Sequence, residues 1–211
     1  MFEKQPAVFG VLASGRGSNF EALLRYQQTG GFHNARIVCL VANRPSAGAL
    51  DIARQAGLPA HAVRPKDFST PEEYEQEIIR HLDAHNVNAL ILAGYMKIIG
   101  PTLLNRYADR IINIHPSLLP SFPGLHAQKQ ALDHGVRFSG CTVHFVDAGL
   151  DSGPIIGQSV VPVFPRDTEE TLSARILEQE HKLFAQCICD ITQRPWHIDG
   201  RRVIFDAPRE T

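Results

Sequence analysis

The chain has 211 residues, a formal net charge of −1, 44% hydrophobic residues and 20% charged residues. This length suits one domain with a sizeable core, and the charge offers no basic excess for a nucleic-acid backbone. No apolar run approaches the ~20 residues of a membrane-spanning helix, and the first residues lack a signal-peptide core. From the charge and the apolar runs, we expect neither membrane nor nucleic-acid partners. The four cysteines include no Cys-x-x-Cys pair, so we expect reduced thiols and a cytoplasmic protein.

The first half of the chain alternates short apolar runs with longer amphipathic stretches. Continuous apolar runs predict buried strands, and apolar residues that recur every three or four positions predict helices. Strands that alternate with helices in this way are typical of a parallel sheet with helices on both faces. The predicted strands are 7–13, 36–42, 59–63 and 89–93, and the predicted helices are 18–28, 47–56 and 71–85.

In the second half of the chain, the segments that connect the predicted strands and helices are shorter and more varied. A strand at 110–115 runs into a proline-rich loop at 116–124, and a hairpin is predicted around Asp199-Gly200. Further strands are predicted at 141–146 and 157–163, and helices at 127–134 and 168–191. Because no linker separates the halves, we expect one α/β domain over 1–211. Its fold class would be a Rossmann-like open sheet, parallel in the N-terminal half and mixed in the C-terminal half, with helices on both faces.

A glycine-rich segment, Ser14-Gly15-Arg16-Gly17-Ser18-Asn19, lies between the first predicted strand and helix. Backbone N–H groups in such a turn, together with the positive end of a helix, bind anions. Phe20 stands where a dinucleotide-binding motif needs its third glycine, and the Gly-Lys-Ser/Thr of a P-loop is absent. The segment therefore predicts a site for one phosphate, and the alternative is a tight turn in which Ser18 caps the helix.

A second motif, Asn113-Ile114-His115-Pro116-Ser117, ends the fifth predicted strand. Alternation places Asn113 and His115 on one face, at the carboxyl edge where open α/β sheets bind ligands. An amide N–H can stabilise a developing oxyanion and a histidine can move a proton, which suits addition to a carbonyl carbon. The alternative is a histidine that only ends the strand. Ser117 lacks the Gly-x-Ser-x-Gly setting of a nucleophile.

Two acids, Asp147 and Asp151, lie four residues apart in a glycine-rich loop. Either one could face His115, and a carboxylate beside an imidazole favours the charged ring. The spacing does not choose between them, and an ordinary polar loop is the alternative. The loop lacks the acidic spacing of a calcium site. A zinc site built from His115, His144 and Asp151 is a minor alternative, and we expect no metal.

Taken together, Gly17-Ser18-Asn19, residues 113–120, Pro123-Gly124 and Leu150-Asp151-x-Gly-Pro closely resemble the folate-dependent formyltransferases. The resemblance covers essentially the whole chain. It implies transfer of a formyl group from 10-formyltetrahydrofolate, without a metal, to the amine of phosphoribosylglycinamide in purine synthesis. It also implies small-molecule partners (this amine and a reduced folate) and a monomer or homodimer.

The resemblance also implies roles for individual residues. Asn113, His115 and Asp151, rather than Asp147, would be catalytic. The substrate phosphate would bind Gly17, Ser18 and Asn19, and its ribose hydroxyls would bind Glu180, which could otherwise be a solvated helix residue. The folate would contact Met96, Lys97, Ile98, Ile99, Ile111, Asn113, Val146, Leu150 and Asp151. Residues 1–100 would form a phosphate-binding half, 101–195 a folate and catalytic half, and 196–211 a tail, with a cis Leu119–Pro120 bond in the loop after His115.

One departure and three alternatives remain. Pro71 stands where a similar bacterial enzyme has an arginine near the folate tail, so that Arg64 or Lys66 would have to replace it. The alternatives are a formyltetrahydrofolate hydrolase, another formyltransferase such as the methionyl-tRNA enzyme, and a non-catalytic folate- or nucleotide-binding domain. The first two usually carry a further domain, which this length does not lead us to expect, and the intact Asn113, His115 and Asp151 disfavour the third.

Overall fold

The computed structural model describes residues 5–206. Its strands are β1 (Ala7–Ala13), β2 (Ala35–Ala42), β3 (Ala60–Ala62), β4 (Ala89–Leu92), β5 (Ile111–His115), β6 (Phe138–Phe145), β7 (Ile155–Pro162), β8 (Trp196–Asp199) and β9 (Arg202–Phe205). Its helices are α1 (Ser18–Gln28), α2 (Ala49–Gln55), α3 (Pro71–Asp83), α4 (Pro101–Arg106), α5 (Ala127–Asp133) and α6 (Glu169–Gln193). Every predicted strand and helix is present within a few residues of its predicted bounds, whereas α4 was not predicted. The part of the predicted tail beyond residue 206 lies outside the described residues.

Within residues 5–206 the nine strands form one sheet in the order β3-β2-β1-β4-β5-β6-β7-β9-β8. The strands from β3 to β5 pair in parallel, β5–β6 and β6–β7 pair antiparallel, and β8–β9 is an antiparallel hairpin. The predicted fold class is therefore confirmed. From β1, the chain moves outward to β2 and β3 and then returns to add β4 on the other side of β1. This reversal opens a crevice at the carboxyl ends of β1 and β4, where open sheets bind ligands.

Two apolar layers cover the two faces of the sheet. The first layer contains residues of α1, α2 and α6, among them Phe20 and Leu23 of α1 and Phe184 of α6. Ile78 and Leu103 represent α3 and α4 in the second layer. Because β1 and β4 are buried on both faces, nearly all of their residues are apolar. This is why the sequence predicts their positions.

The short helix α4 depends on a side chain from another helix. The buried carboxylate of Glu75 in α3 accepts hydrogen bonds from the backbone N–H groups of Gly100 (2.5 Å) and Leu103 (3.1 Å). The first N–H groups of any helix lack partners within that helix, and no side chain of the adjoining residues caps α4. The start of α4 is thus stabilised by a tertiary contact that no local sequence pattern reveals.

We expect Glu75→Ala to lower the free energy of unfolding by about 3 kcal/mol, because the buried N–H of Leu103 and the half-buried N–H of Gly100 lose their acceptor. Glu75→Gln keeps one acceptor oxygen and should lose less. The exposed neighbour Gln76, changed to Ala, is the control and should stay within about 0.5 kcal/mol of the wild type. Urea unfolding measures all three, and equal stability of Glu75→Ala and Gln76→Ala would contradict this account of α4.

Candidate active site

Polar side chains replace the core at the carboxyl end of β5. Ile111 belongs to the second apolar layer, and the next two positions on its face are Asn113 and His115. The antiparallel pairing with β6 sets His144 opposite Asn113 and Thr142 opposite His115. Because directly opposed residues share a face of the sheet, these four side chains form one polar row. The predicted placement of Asn113 and His115 on a common face agrees with this register.

Both ring nitrogens of His115 face oxygen acceptors. Nδ1 lies 3.4 Å from Oδ2 of Asp151, and Nε2 lies 2.9 Å from the carbonyl oxygen of Phe122. A doubly protonated imidazole offers a donor to each, whereas the neutral ring has only one N–H. The site can therefore accommodate a protonated ring, and Nε2 must leave the Phe122 carbonyl before it can act on a ligand.

Asp151, and not Asp147, is the carboxylate that lies beside His115. Its Oδ2 also accepts a hydrogen bond from the N–H of Gly124 at 2.8 Å, and its backbone is left-handed, with φ of 50°. The Oδ1 of Asp147 instead accepts hydrogen bonds from a backbone N–H (3.0 Å) and the Ser152 hydroxyl (2.7 Å) within its own exposed loop. Tertiary placement thus separates two acids that the sequence spacing could not.

Buried hydroxyl groups hold the loop that follows β5. The Thr142 hydroxyl accepts a hydrogen bond from the N–H of Leu119 (3.0 Å) and donates to the carbonyl of Ser117 (2.7 Å). The Ser117 hydroxyl is itself fully buried and donates to a loop carbonyl at 2.5 Å, so this serine is placed as a structural group. The Leu119–Pro120 bond is cis, as the resemblance implied.

Gly17 turns the chain into α1 at the end of the glycine-rich loop. Its φ is 90°, a conformation that favours glycine, and a Cβ at this position would lie 2.8 Å from the Cβ of Ala49 in α2. Ser18 is the first helical residue and no side chain caps the helix, so the alternative in which Ser18 is the cap is wrong. The first N–H groups of α1 therefore remain as potential anion donors.

Asn19 and Glu180 join this loop to the long helix α6. The Nδ2 of Asn19 donates to Oε2 of Glu180 at 2.8 Å, and within residues 5–206 the buried Oδ1 of Asn19 has no hydrogen-bond partner. Burial raises the pKa of Glu180, while the hydrogen bond from Asn19 opposes that shift. The two residues thus offer acceptor oxygens suited to the hydroxyl groups of a ligand.

Apolar side chains are exposed beside the polar row. Met96 and Ile98, which follow β4, are 65% and 83% exposed, and Leu150 from the acidic loop is 61% exposed. Ile99 and Ile111 are buried in the layer beneath. Met96 and Ile98 follow the strand next to β5 in the sheet, and Leu150 precedes Asp151 in the chain, so all three belong to segments that border the row. Exposed apolar groups next to polar ones are typical of a ligand-binding groove.

The remaining residues expected to contact folate are placed as follows. The N–H of Met96 donates to the Ser14 hydroxyl at 2.8 Å, which ties this segment to the glycine-rich loop. The Lys97 ammonium lies 5.8 Å from the centre of an aromatic ring of α3, and Val146 packs against the second apolar layer. Arg64 already pairs with Asp67 at 2.6 Å, so it would have to break this pair to replace the missing arginine.

From the sequence alone, His144 stands out only as a candidate zinc ligand, and nothing points to the Phe122 carbonyl. The signal for His144 is the register of β5 and β6: a pairing that opposes His115 to Thr142 necessarily opposes Asn113 to His144. The sequence gives no equivalent signal for a backbone carbonyl. Its position depends on how the loop after β5 folds back.

His115, His144 and Asp151 lie close together, yet residues 5–206 contain no group of three or more His, Cys, Asp or Glu side chains arranged to hold a metal ion. Asp151 instead lies beside both histidines, 3.4 Å from Nδ1 of His115 and 3.8 Å from Nε2 of His144. Over the same range, no helix combines the length and apolar character needed to span a membrane.

Comparison with known proteins identifies the family. The formyl transferase family model matches residues 8–188, and the chain belongs to this family. A phosphoribosylglycinamide formyltransferase from Bacillus subtilis (strain 168) is 44% identical over 180 residues, which cover 85% of this chain and 92% of that protein. The crystal structure of glycinamide ribonucleotide transformylase 1 from Symbiobacterium toebii matches with a TM-score of 0.93 and 41% identity, covering 96% of this chain and 95% of that one.

A larger relative matches over only part of its own length. The trifunctional purine biosynthetic protein adenosine-3 of Drosophila melanogaster is 44% identical over 180 residues, or 84% of this chain. The match spans 13% of the Drosophila protein. The similarity therefore concerns one portion of a much longer polypeptide.

We expect Glu180→Gln to raise the Tm at neutral pH. The raised pKa of Glu180 means that the native state holds this proton more tightly than the unfolded state. Wild-type stability therefore falls as the pH rises from the unfolded-state pKa through the folded-state pKa. Glutamine has no charge to bury, so the difference in Tm should appear across that window and vanish below it.

The exposed Glu178 of the same helix, changed to Gln, is the matched control and should follow the wild-type curve. Thermal unfolding as a function of pH measures all three proteins. A Tm difference between Glu180→Gln and wild type that stays constant at every pH would contradict the burial of a charge at Glu180.

Proposed function

We propose that the protein transfers the formyl group of 10-formyltetrahydrofolate to the amine of phosphoribosylglycinamide, giving formylglycinamide ribonucleotide and tetrahydrofolate. The observation that supports this most strongly is the row at the end of β5, where Asn113 shares a face of the sheet with His115 and the ring of His115 lies 3.4 Å from the Asp151 carboxylate. Family membership supports formyl transfer, and the named bacterial relative supports this acceptor. The reaction is a step of purine biosynthesis, and we place it in the cytoplasm.

Formyl transfer needs little covalent chemistry from the protein. When bound, 10-formyltetrahydrofolate supplies an already activated one-carbon unit, so the protein does not need to provide a nucleophile. The protein has to stabilise the negative charge that develops on the formyl oxygen and provide a proton for the departing folate nitrogen. The polar row contains one group suited to each task.

Asn113 is suited to bind the formyl oxygen. Its Nδ2 carries two N–H donors, and one of them is directed at Nε2 of His144, 3.1 Å away. The second donor can bind the oxygen as charge develops there. A donor held in place before the reaction stabilises the charge without having to reorient during it, which is the basis of oxyanion holes.

His115 is suited to stabilise the same charge and to deliver the proton. In the protonated ring, Nδ1–H faces Asp151 and Nε2–H faces the Phe122 carbonyl. When substrates are bound, Nε2 exchanges this carbonyl for the reacting atoms, and the substrate amine forms a bond to the formyl carbon. As the bond from that carbon to the folate nitrogen breaks, Nε2–H gives its proton to the departing nitrogen, and the proton lost by the amine restores the charged ring. Asp151 stabilises the charged ring until that transfer.

The glycine-rich loop and α6 would hold the phosphorylated substrate. The N–H groups of Gly17, Ser18 and Asn19 lie at the start of α1, where the helix dipole favours a phosphate. The ribose hydroxyls can donate to the Glu180 carboxylate and to the unpaired Oδ1 of Asn19. This would place the amine of the substrate toward the row on β5.

The groove beside the row fits a reduced folate. A flat heterocycle would cover Met96, Ile98 and Leu150, whose exposure to water is otherwise unfavourable. Backbone groups of the same segments can bind its polar edge, as is usual in sites for flat ligands. The residues completing this proposed folate site are Lys97, Ile99, Ile111, Asn113, Val146 and Asp151.

The direct test is the absorbance change as 10-formyltetrahydrofolate becomes tetrahydrofolate, followed with and without phosphoribosylglycinamide. Turnover that requires the amine supports the transferase. Turnover without the amine would instead indicate a hydrolase, in which water is the acceptor. Failure to turn over in either mixture, with the protein folded, would reject this acceptor and leave a binding domain or another amine.

We expect Asn113→Ala and His115→Ala each to lower kcat by at least about 100-fold, because each removes a group that stabilises the developing charge. Both variants should remain folded with a lowered Tm, because each leaves buried groups without a hydrogen-bond partner, so kcat is measured well below that Tm. The control is Asp147→Asn in the neighbouring exposed loop, which should keep near-normal turnover. Near-normal turnover by His115→Ala would contradict the assigned role.

A further inference from the structure

One buried side chain of the row has no part in the mechanism above. His144 is 1% exposed, although imidazole is polar and needs hydrogen-bond partners when it is buried. Its Nδ1 lies 2.8 Å from the carbonyl oxygen of Phe145, and its Nε2 lies 3.1 Å from Nδ2 of Asn113. Both ring nitrogens are therefore within hydrogen-bond distance of one defined partner.

The two partners determine the tautomer of His144. The Phe145 carbonyl can only accept, so Nδ1 must carry a hydrogen. If the ring is neutral, that is its one N–H, and Nε2 then presents a lone pair. A lone pair requires a donor opposite, which is the NH2 group of Asn113 rather than its oxygen.

A neutral His144 thereby determines which way the Asn113 amide faces. If Nε2 were protonated, it would attract the Oδ1 of Asn113, and the amide would turn over. The NH2 group would then face away from the position it has in the structure. The direction of the proposed oxyanion donor thus depends on the protonation of a neighbour that is only 1% exposed.

The surroundings of His144 favour the neutral ring. Burial is the main cause that lowers the pKa of His144, and the charge of His115 acts in the same direction. The Phe145 carbonyl, Asp151 and Asp147 act in the opposite direction, with a smaller combined effect. Oδ1 of Asp151 is 3.8 Å from Nε2, so the carboxylate is closer to His115 than to His144.

We infer that His144 is a positioning residue: held as the Nδ1–H tautomer by the Phe145 carbonyl, it accepts a hydrogen bond from Asn113 and fixes that amide with its NH2 group toward the reacting oxygen. This role rests on the proposed formyl transfer. It differs from a proton-transfer role, because His144 neither gains nor loses a proton during turnover. It also differs from packing alone, because an apolar side chain of similar size cannot replace it.

The test compares two substitutions that differ in one hydrogen-bond acceptor. His144→Leu fills the buried space without polar atoms, and His144→Gln can place an amide oxygen where Nε2 lies. Both variants remove the Nδ1–H that the Phe145 carbonyl accepts, so the loss of this hydrogen bond is the same in the two proteins. We expect kcat of His144→Leu to fall by about 100-fold, as misplacement of a reacting group typically does, with little change in the folate KM. His144→Gln should recover most of the loss.

A double-mutant cycle shows whether the effect acts through Asn113. In an Asn113→Ala background, His144→Leu should cost little further activity, because the amide that it positions is already absent. A full additional loss in that background would overturn the inference. Equal activity of His144→Leu and His144→Gln at matched Tm would overturn it as well, since it would indicate a packing role.

A readout that does not depend on turnover completes the test. NMR of the wild type with 15N-labelled histidine should show His144 protonated at Nδ1 and unprotonated at Nε2 at neutral pH. Asn113→Ala should shift the Nε2 resonance, while the exposed His33, changed to Gln, should not. The opposite tautomer, or a charged ring, would overturn the inference even in a protein with normal transferase activity. A protein that lacks that activity but shows the expected tautomer would reject the proposed function and leave the His144–Asn113 contact standing.

Discussion

The antiparallel pairing of β5 with β6 is the constraint on which the site depends. A parallel sheet extends from β3 to β5, and its strands are near-continuously apolar because helices cover both faces. At β5 the next strand runs in the opposite direction, and the residues opposite the carboxyl end of β5 come from the middle and end of β6. The register puts Asn113 opposite His144 and His115 opposite Thr142, so polar side chains support one another where the apolar layer stops. A shift by one residue would turn all of them to the other face.

The order of the strands brings the rest of the site to the same edge. The glycine-rich loop follows β1, the apolar segment with Met96 follows β4, and the row lies at the end of β5. Because β1, β4 and β5 are adjacent parallel strands, these three segments lie side by side at one edge of the sheet. Two hydrogen bonds connect these parts: one joins Met96 to Ser14, and the other joins Asn19 to Glu180 in the last long helix. The loop proposed to bind phosphate, the apolar groove and the proposed proton-transfer pair are thereby held by rigid elements. If these roles hold, two substrates would be bound there with their reacting atoms close together, which is a large part of what a transferase has to provide.

The sequence predicts most of the strands and helices because their patterns are local. Apolar runs, the capping box that starts at Thr70 and the turn at Asp199-Gly200 each depend on a few neighbouring residues. The helix α4 could not be predicted in this way, since its start is satisfied by Glu75 from another helix. The choice between Asp147 and Asp151 likewise needed the resemblance, because spacing alone left both open. Placing His144 in the site required the register of β5 and β6, and placing the Phe122 carbonyl there required the folded loop after β5. What could not be predicted consists of contacts between segments distant in the chain.

In the proposed reaction, His115 exchanges a loop carbonyl for the reacting atoms while Asp151 remains beside it. A crystal structure with phosphoribosylglycinamide and an unreactive analogue of 10-formyltetrahydrofolate tests this most directly. We expect Nε2 of His115 to leave the Phe122 carbonyl and to face the atom that represents the transferred carbon or the departing nitrogen. Asn113 should donate to the formyl oxygen in the same complex. A complex in which Nε2 remains bonded to Phe122, or in which the formyl position lies out of reach of Asn113, would contradict the roles proposed for His115 and Asn113.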